Sequence, residues 1–170
     1  MTVGFARRVL RVITSAWLAV LLAACASPPR TAVTEPGGTP VKSGRLAMSV
    51  QDQPGQSFSA GFELKGRPDA GELTLFNPLG GTVAVLRWQP GSAVLVPMGG
   101  QPQQFPSVDA MVQQATGAAV PLAALFDWLD GVQTAVAGWE VDLTSIADGR
   151  LRAKRRDPAP ETDLRVVLDR

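Results

Sequence analysis

From Ser43 onward the chain is a series of short segments in which apolar and polar residues alternate. Leu46, Met48 and Val50 fall on one side of the first, and Phe58, Ala60, Phe62 and Leu64 stand opposite Ser59, Gly61 and Glu63 in the second. Successive side chains of a strand point to opposite faces, so a period of two with one apolar side predicts half-buried antiparallel strands. Gly71–Phe76, Thr82–Gln89 and residues 93–96 continue the series, separated by the turn signals Gly66-Arg67-Pro68-Asp69 and Gln89-Pro90-Gly91. Consecutive short strands with tight turns predict a meander.

After residue 106 the period changes. Ser107 carries the short side-chain oxygen suited to cap a helix over residues 108–115, which Gly117 would end. Pro121 stands where a second helix, Leu122–Leu129, would begin before stopping at Gly131. Within it Leu122, Leu125, Phe126 and Leu129 recur at helical spacing, so one side faces apolar material. Alternation at the strand period then returns: Trp139, Val141 and Leu143 against Glu140 and Asp142, followed by residues 151–155 and 164–168. The expectation is a mainly β protein with a small helical part, its curved antiparallel sheet closed or nearly closed over two helices.

The N-terminal segment adds a location. Arg7, Arg8 and Arg11 precede an apolar run over residues 12–22 that is too short to span a bilayer comfortably, as in a cleaved export signal. Leu22-Ala23-Ala24-Cys25 has the form of a bacterial lipobox, in which the thiol is diacylated and the signal removed. Residues 1–24 are therefore expected to be a lipoprotein signal peptide and Cys25 the lipid-attachment residue. Residues 25–42 hold proline, glycine and threonine with almost nothing apolar, which suits a flexible tether, and residues 43–170 form the domain. One acyl chain holds a protein to a bilayer only marginally, whereas two or three hold it almost irreversibly. Ala26 and Ser27 lack the acidic residue that retains enterobacterial lipoproteins at the inner membrane, which favours the periplasmic face of the outer membrane.

Composition closes several chemistries. The chain has no histidine, no tyrosine and the single Cys25, so a Ser-His-Asp triad, a Cys-His pair, an internal disulfide and an ordinary zinc site are excluded once that thiol is acylated. No cofactor or metal is expected. Losing Arg7, Arg8 and Arg11 with the signal takes the formal charge from +1 to −2, unlike a nucleic-acid binder. A lipid-anchored hydrolase would need a serine beside Lys42 or Lys65, and neither lies in a Ser-x-x-Lys motif. A phosphate-cradling Gly-x-x-x-x-Gly-Lys-Ser/Thr loop is also missing.

Asn77-Pro78-Leu79-Gly80 fits a reverse turn, with Asn first, Pro preset second and Gly fourth, which places Leu79 at the tip. A leucine facing water forgoes roughly 2 kcal/mol of burial, so an apolar environment is expected there for part of a working cycle, unless the loop folds back and Leu79 packs under the helices. Arg150, Arg152, Lys154, Arg155 and Arg156 form a basic run with Arg152, Lys154 and Arg156 on one side of a strand: a solvated face, or a docking patch for an acidic surface or phosphate headgroups. Trp128 and Trp139 could bury their rings while giving the indole N–H a polar partner.

Taken together these residues resemble the LolB family, outer-membrane lipoproteins that receive other lipoproteins from a soluble periplasmic carrier and insert them into the membrane. The resemblance spans the chain: the lipobox, Gly44-Arg45-Leu46, the run from Gly71 through Asn77-Pro78-Leu79-Gly80, Gly117 with Val120-Pro121-Leu122, Leu125-Phe126-Asp127-Trp128-Leu129-Asp130-Gly131, Gly138-Trp139-Glu140-Val141, and Leu164-Arg165-Val166-Val167-Leu168. It implies an unclosed antiparallel β-barrel, a half-barrel covering helices, with a hydrophobic cavity for acyl chains. It implies as partners a LolA-like periplasmic carrier, acylated client lipoproteins and outer-membrane phospholipid, with the chain itself a monomer and not an enzyme. On this reading Leu79 meets the membrane during insertion. Leu46, Met48, Phe58, Phe62, Leu75, Leu86, Leu125, Phe126 and Trp128 are candidates for the cavity wall, although a wall and a filled core look alike in sequence. The stretch after Gly131 is shorter than the family pattern by about a strand pair, which leaves closure of the sheet on that side open. A scaffold lipoprotein that binds an assembly partner on the same sheet is the non-transferring alternative.

Overall fold

The structure is a computed structural model in which residues 41–116 and 119–170 are described. The signal peptide, Cys25, most of the tether and Gly117 lie outside those residues. Nine strands form one antiparallel sheet: β1 (Val41–Val50), β2 (Phe58–Gly66), β3 (Gly71–Phe76), β4 (Thr82–Gln89), β5 (Ser92–Pro97), β6 (Gln103–Phe105), β7 (Trp139–Asp142), β8 (Arg150–Arg155) and β9 (Thr162–Leu168). Two helices, α1 (Val108–Thr116) and α2 (Leu122–Leu129), lie in the connection from β6 to β7.

The strand order is β6-β5-β4-β3-β2-β1-β9-β8-β7. The sheet is therefore open, its edges the short strands β6 and β7, and short edges offer little unpaired backbone to another chain. Hairpin turns give neighbours in order from β1 to β6 and from β7 to β9; the long-range join is β1 against β9, with Gly44 opposite Leu168 and Val50 opposite Thr162. β1 begins at Val41, ahead of Ser43, because Val41 and Lys42 already pair with Lys65 and Leu64.

The register explains the core. Leu46, Met48 and Val50 on β1, Phe62 and Leu64 on β2, Leu73 and Leu75 on β3, Leu86 and Trp88 on β4, and Leu164 and Val166 on β9 fall on one face and join a single cluster. Both helices cover that face. Ser107 caps α1, its Oγ accepting from Ala110 N at 3.2 Å, and α1 lies against β4, β5 and β6. α2 ends in a six-residue hydrogen-bonded closure: Val132 N donates to Asp127 O at 2.8 Å and Gly131 N to Trp128 O at 3.0 Å. Gly131 at φ +79° takes the left-handed conformation this closure requires, which only glycine adopts without strain.

Two aromatic contacts hold α2 down. Phe126 meets Trp88 of β4 edge-on with ring centroids 6.4 Å apart, and Trp128 lies 5.9 Å from Trp139 of β7. Trp128 is fully buried, yet its indole N–H donates to Thr134 O at 2.9 Å, so burial leaves no donor unpaired.

Candidate lipid-handling site

The turn between β3 and β4 is built from Asn77. Gly80 N donates to Asn77 O at 2.9 Å, Leu79 N and Gly81 N both donate to Asn77 Oδ1 at 2.9 and 3.0 Å, and Asn77 N donates to Gly81 O at 2.8 Å. Pro78 has no N–H to satisfy, and Gly80 at φ +84° closes the turn. The side chain left over is Leu79, which is 95% exposed. It stands at the tip and does not fold back under the helices.

The cavity candidates separate along the strands. Phe62, Leu86, Phe126 and Trp128 are buried toward the middle of the cluster, as is Met48 beside β9. Leu46, Phe58 and Leu75, with Ala60 and Ala84, are half-buried inner-face residues in the part of the sheet nearer the β3–β4 turn, where Met48 and Val50, on the β9 side, are buried. Leu125 on α2 is half-buried as well. The structure thus places one half-open apolar stretch next to the exposed leucine and a filled core beyond it. A separate open hollow of about 250 Å³ lies over β8 and β9, bounded by Leu151, Arg152, Arg165 and Val166 among others, and it includes none of these nine residues.

The basic run divides by strand period. Arg152 donates to Asp163 through Nε at 3.1 Å, Lys154 pairs with Glu161 at 3.4 Å, and Arg156 with Glu140 at 3.1 Å, all on the outer face. Arg155 turns inward between Trp139 and Thr162 and is 5% exposed, its Nη2 donating to Pro160 O at 3.2 Å while Nε has no partner among the described residues. A basic patch awaiting an acidic partner would keep its charges free. Here three outer cations are already compensated, which fits the solvated-face alternative.

A second exposed apolar group escaped the sequence reading. Met98, after β5, is 68% exposed and Val83, at the start of β4, 42% exposed; Met98 N donates to Val83 O at 2.8 Å. The available signal was charge: from Leu73 to Leu86 and from Trp88 to Val108 the sequence has no Asp, Glu, Lys or Arg.

Known proteins share the sequence that builds this sheet and its helices. A profile of the family described as "Outer membrane lipoprotein LolB" matches residues 42–159. The chain belongs to the LolB family. It is 36% identical over 140 residues to the outer-membrane lipoprotein LolB of Bordetella petrii, covering 80% of this chain and 69% of that one. Against the LolB of Chromobacterium violaceum the figures are 32% over 139 residues, 79% and 73%, and against that of Bordetella parapertussis 35% over 128 residues, 73% and 63%. The chain thus spans between 63% and 73% of the length of these three relatives. The LolB match ends before β9, although β9 hydrogen-bonds both β1 and β8.

Proposed function

We propose that this chain is an outer-membrane lipoprotein, acylated at Cys25, that accepts acylated proteins from a LolA-like periplasmic carrier and passes their acyl chains into the bilayer. The observation that carries the proposal is the half-open inner face around Leu46, Phe58 and Leu75 next to an exposed Leu79. A palmitoyl-sized chain holds about 15 methylenes, and at about 0.8 kcal/mol each its exposure to water would cost on the order of 12 kcal/mol. Handing such a chain over therefore calls for apolar surface continuous from carrier to acceptor to bilayer. Leu46, Phe58, Leu75 and Leu125 supply the receiving surface, with Met48, Phe62, Leu86, Phe126 and Trp128 behind them as a wall that yields or holds. Asn77, Pro78 and Gly80 hold Leu79 where the receiving surface meets the membrane.

The transfer makes and breaks no covalent bond, so it asks nothing catalytic of the chain. Direction comes from a descending series of free energies: the acceptor must bind better than the carrier and worse than the bilayer. The test is a two-step transfer. Acylated client held by its carrier is mixed with vesicles bearing the full acylated chain, and client is recovered from the vesicles. Delivery should require the chain and the client's acyl groups. Equal delivery from vesicles without the chain, or of a client stripped of its acyl groups, would overturn the proposal.

A further inference from the structure

We infer that the membrane-facing surface is a ridge of two adjacent hairpin ends, in which Val83 and Met98 enter the bilayer interface beside Leu79. The inference rests on the proposed function and extends it to a partner surface: the interfacial layer of a phospholipid bilayer.

Topology sets the two turns side by side. β3 and β5 run the same way with β4 between them, so the turn at residues 77–81 and the turn at 98–102 emerge at one end of the sheet. The hydrogen bond from Met98 N to Val83 O carries the β4–β5 pairing past Ala84 and Pro97 to the base of both turns. Leu79, Val83 and Met98 are half of the large exposed apolar side chains among the described residues. The other three are Val41, Val132 and Val167. Three at one end form a patch that needs an occupant.

Two features select lipid over a protein partner. The first is the absence of charge: across residues 71–105 the only ionised side chains are Glu72 and Arg87, and they pair with each other at 2.6 Å. A protein interface takes much of its specificity from charge, and the two turns at 77–81 and 98–102 carry none. The second is the backbone. The N–H groups of Asn77, Leu79, Gly80 and Gly81 are all bonded within the turn, Pro78 has none, and Met98 and Gly100 donate to Val83 O and Pro97 O. Internal satisfaction of backbone donors is the condition for entering a medium without water.

The tether reaches far enough. β1 begins at the opposite end of the sheet from these turns and, at about 3.3 Å per residue, its ten residues cover about 33 Å. The chain from Cys25 to Val41, at no more than about 3.6 Å per residue, can span on the order of 55 Å. An anchor at Cys25 thus lets the far end of the domain turn onto the same bilayer.

The test places an environment-sensitive fluorophore on Leu79→Cys, Val83→Cys, Met98→Cys and, at the other end of the Val83 strand, Gln89→Cys. Each full acylated chain, its own thiol capped by acylation, is reconstituted in vesicles of phosphatidylethanolamine and phosphatidylglycerol with brominated acyl chains. Labels at 79, 83 and 98 should shift to the blue and be quenched, and the label at 89 should stay in water. Quenching at 79 with 83 and 98 in water would overturn the ridge and leave the proposed function standing. No quenching at any position would overturn both, and equal quenching at 89 would mean unoriented adsorption and overturn the ridge. An independent arm uses Met98→Glu. Delivery into vesicles should fall about tenfold while uptake of client from the carrier is unchanged; unchanged delivery would overturn the inference.

Discussion

The two wings of the sheet solve the same folding problem with opposite surfaces. Strands β3 to β6 and their turns carry two charged residues, Glu72 and Arg87, whereas β7 to β9 carry twelve between Glu140 and Arg165. Both wings bury an apolar inner face and α2 touches both, so the difference lies outside the core. On the β7–β9 wing Asp163 accepts from Arg152 and Arg165, and Glu140, Asp148 and Glu161 each hold a cation. That surface is compensated and wet. The other wing ends in Leu79, Val83 and Met98. Exposed apolar side chains add nothing to folding in water, so their grouping on one wing points to a task rather than to stability.

Changes at α2 should have the largest effect, because it touches both wings. Trp128→Ala removes a fully buried ring that packs on Trp139 and should lower stability by about 3–5 kcal/mol in a denaturant titration. Phe126→Ala, losing the contact with Trp88, should cost a similar amount. If either substitution cost less than about 1 kcal/mol, the helix would not be the shared support of the two wings.

Leu79→Glu sharpens the comparison on the apolar side. Unfolding should change by no more than about 0.5 kcal/mol, since the side chain is exposed. A charge at the interface costs on the order of a few kcal/mol, at about 1.4 kcal/mol per factor of ten, so delivery of client into vesicles should drop at least tenfold while uptake continues. A variant that unfolded the domain would show that Leu79 is core.

Asp163 sharpens it on the charged side. Burial pushes its carboxyl up, but hydrogen bonds from Arg152 and Arg165 outweigh that and hold it below the ordinary value of 3.8. A carboxyl depressed in the folded state contributes stability above its unfolded value, and that contribution is lost as pH falls from there through the lower folded value. Asp163→Asn should therefore cost about 1 kcal/mol at neutral pH and remove this part of the acid dependence. Urea titrations at neutral pH and near about pH 3 would check it; an unchanged acid slope would remove Asp163 from the account.

The smallest effect belongs to the only ion pair of the apolar wing. Replacing Glu72 and Arg87 together with Gln should change stability by less than about 0.5 kcal/mol, since Arg87 is well exposed. A larger loss by thermal unfolding would mean that the wing depends on charge after all.

Much of this contrast was legible in sequence where one physical rule acted alone. Phe58, Phe62 and Leu64 alternate because a half-buried strand must, and Pro121 and Gly131 bracket α2 because one starts a helix cheaply and the other supplies a positive φ. Asn77-Pro78-Leu79-Gly80 gave the tip for the same reason. β6 was not legible: Gln103, Gln104 and Phe105 are too few and too polar to show a period, and they pair only because β5 lies beside them. Arg155 was obscured by its neighbours, since a cation in a basic run reads as surface until the alternation Leu151, Ala153, Arg155 is followed inward. Met98 lies two turns on from Leu79, and only the β4–β5 pairing brings it beside Val83 at the base of the first turn.

The position of β9 bears on how the molecule comes into being. Thr162–Leu168 forms the seam between β1 and β8, so the strands from β7 onward join the earlier ones through a strand that is synthesised after the other eight. Until that seam is laid, β1 has an unpaired edge and Met48, Val50 and Leu46 lack half of their neighbours. On the proposed function the anchoring residue comes early in the chain and the seam late, so the sheet is completed only after the residue that would carry the anchor.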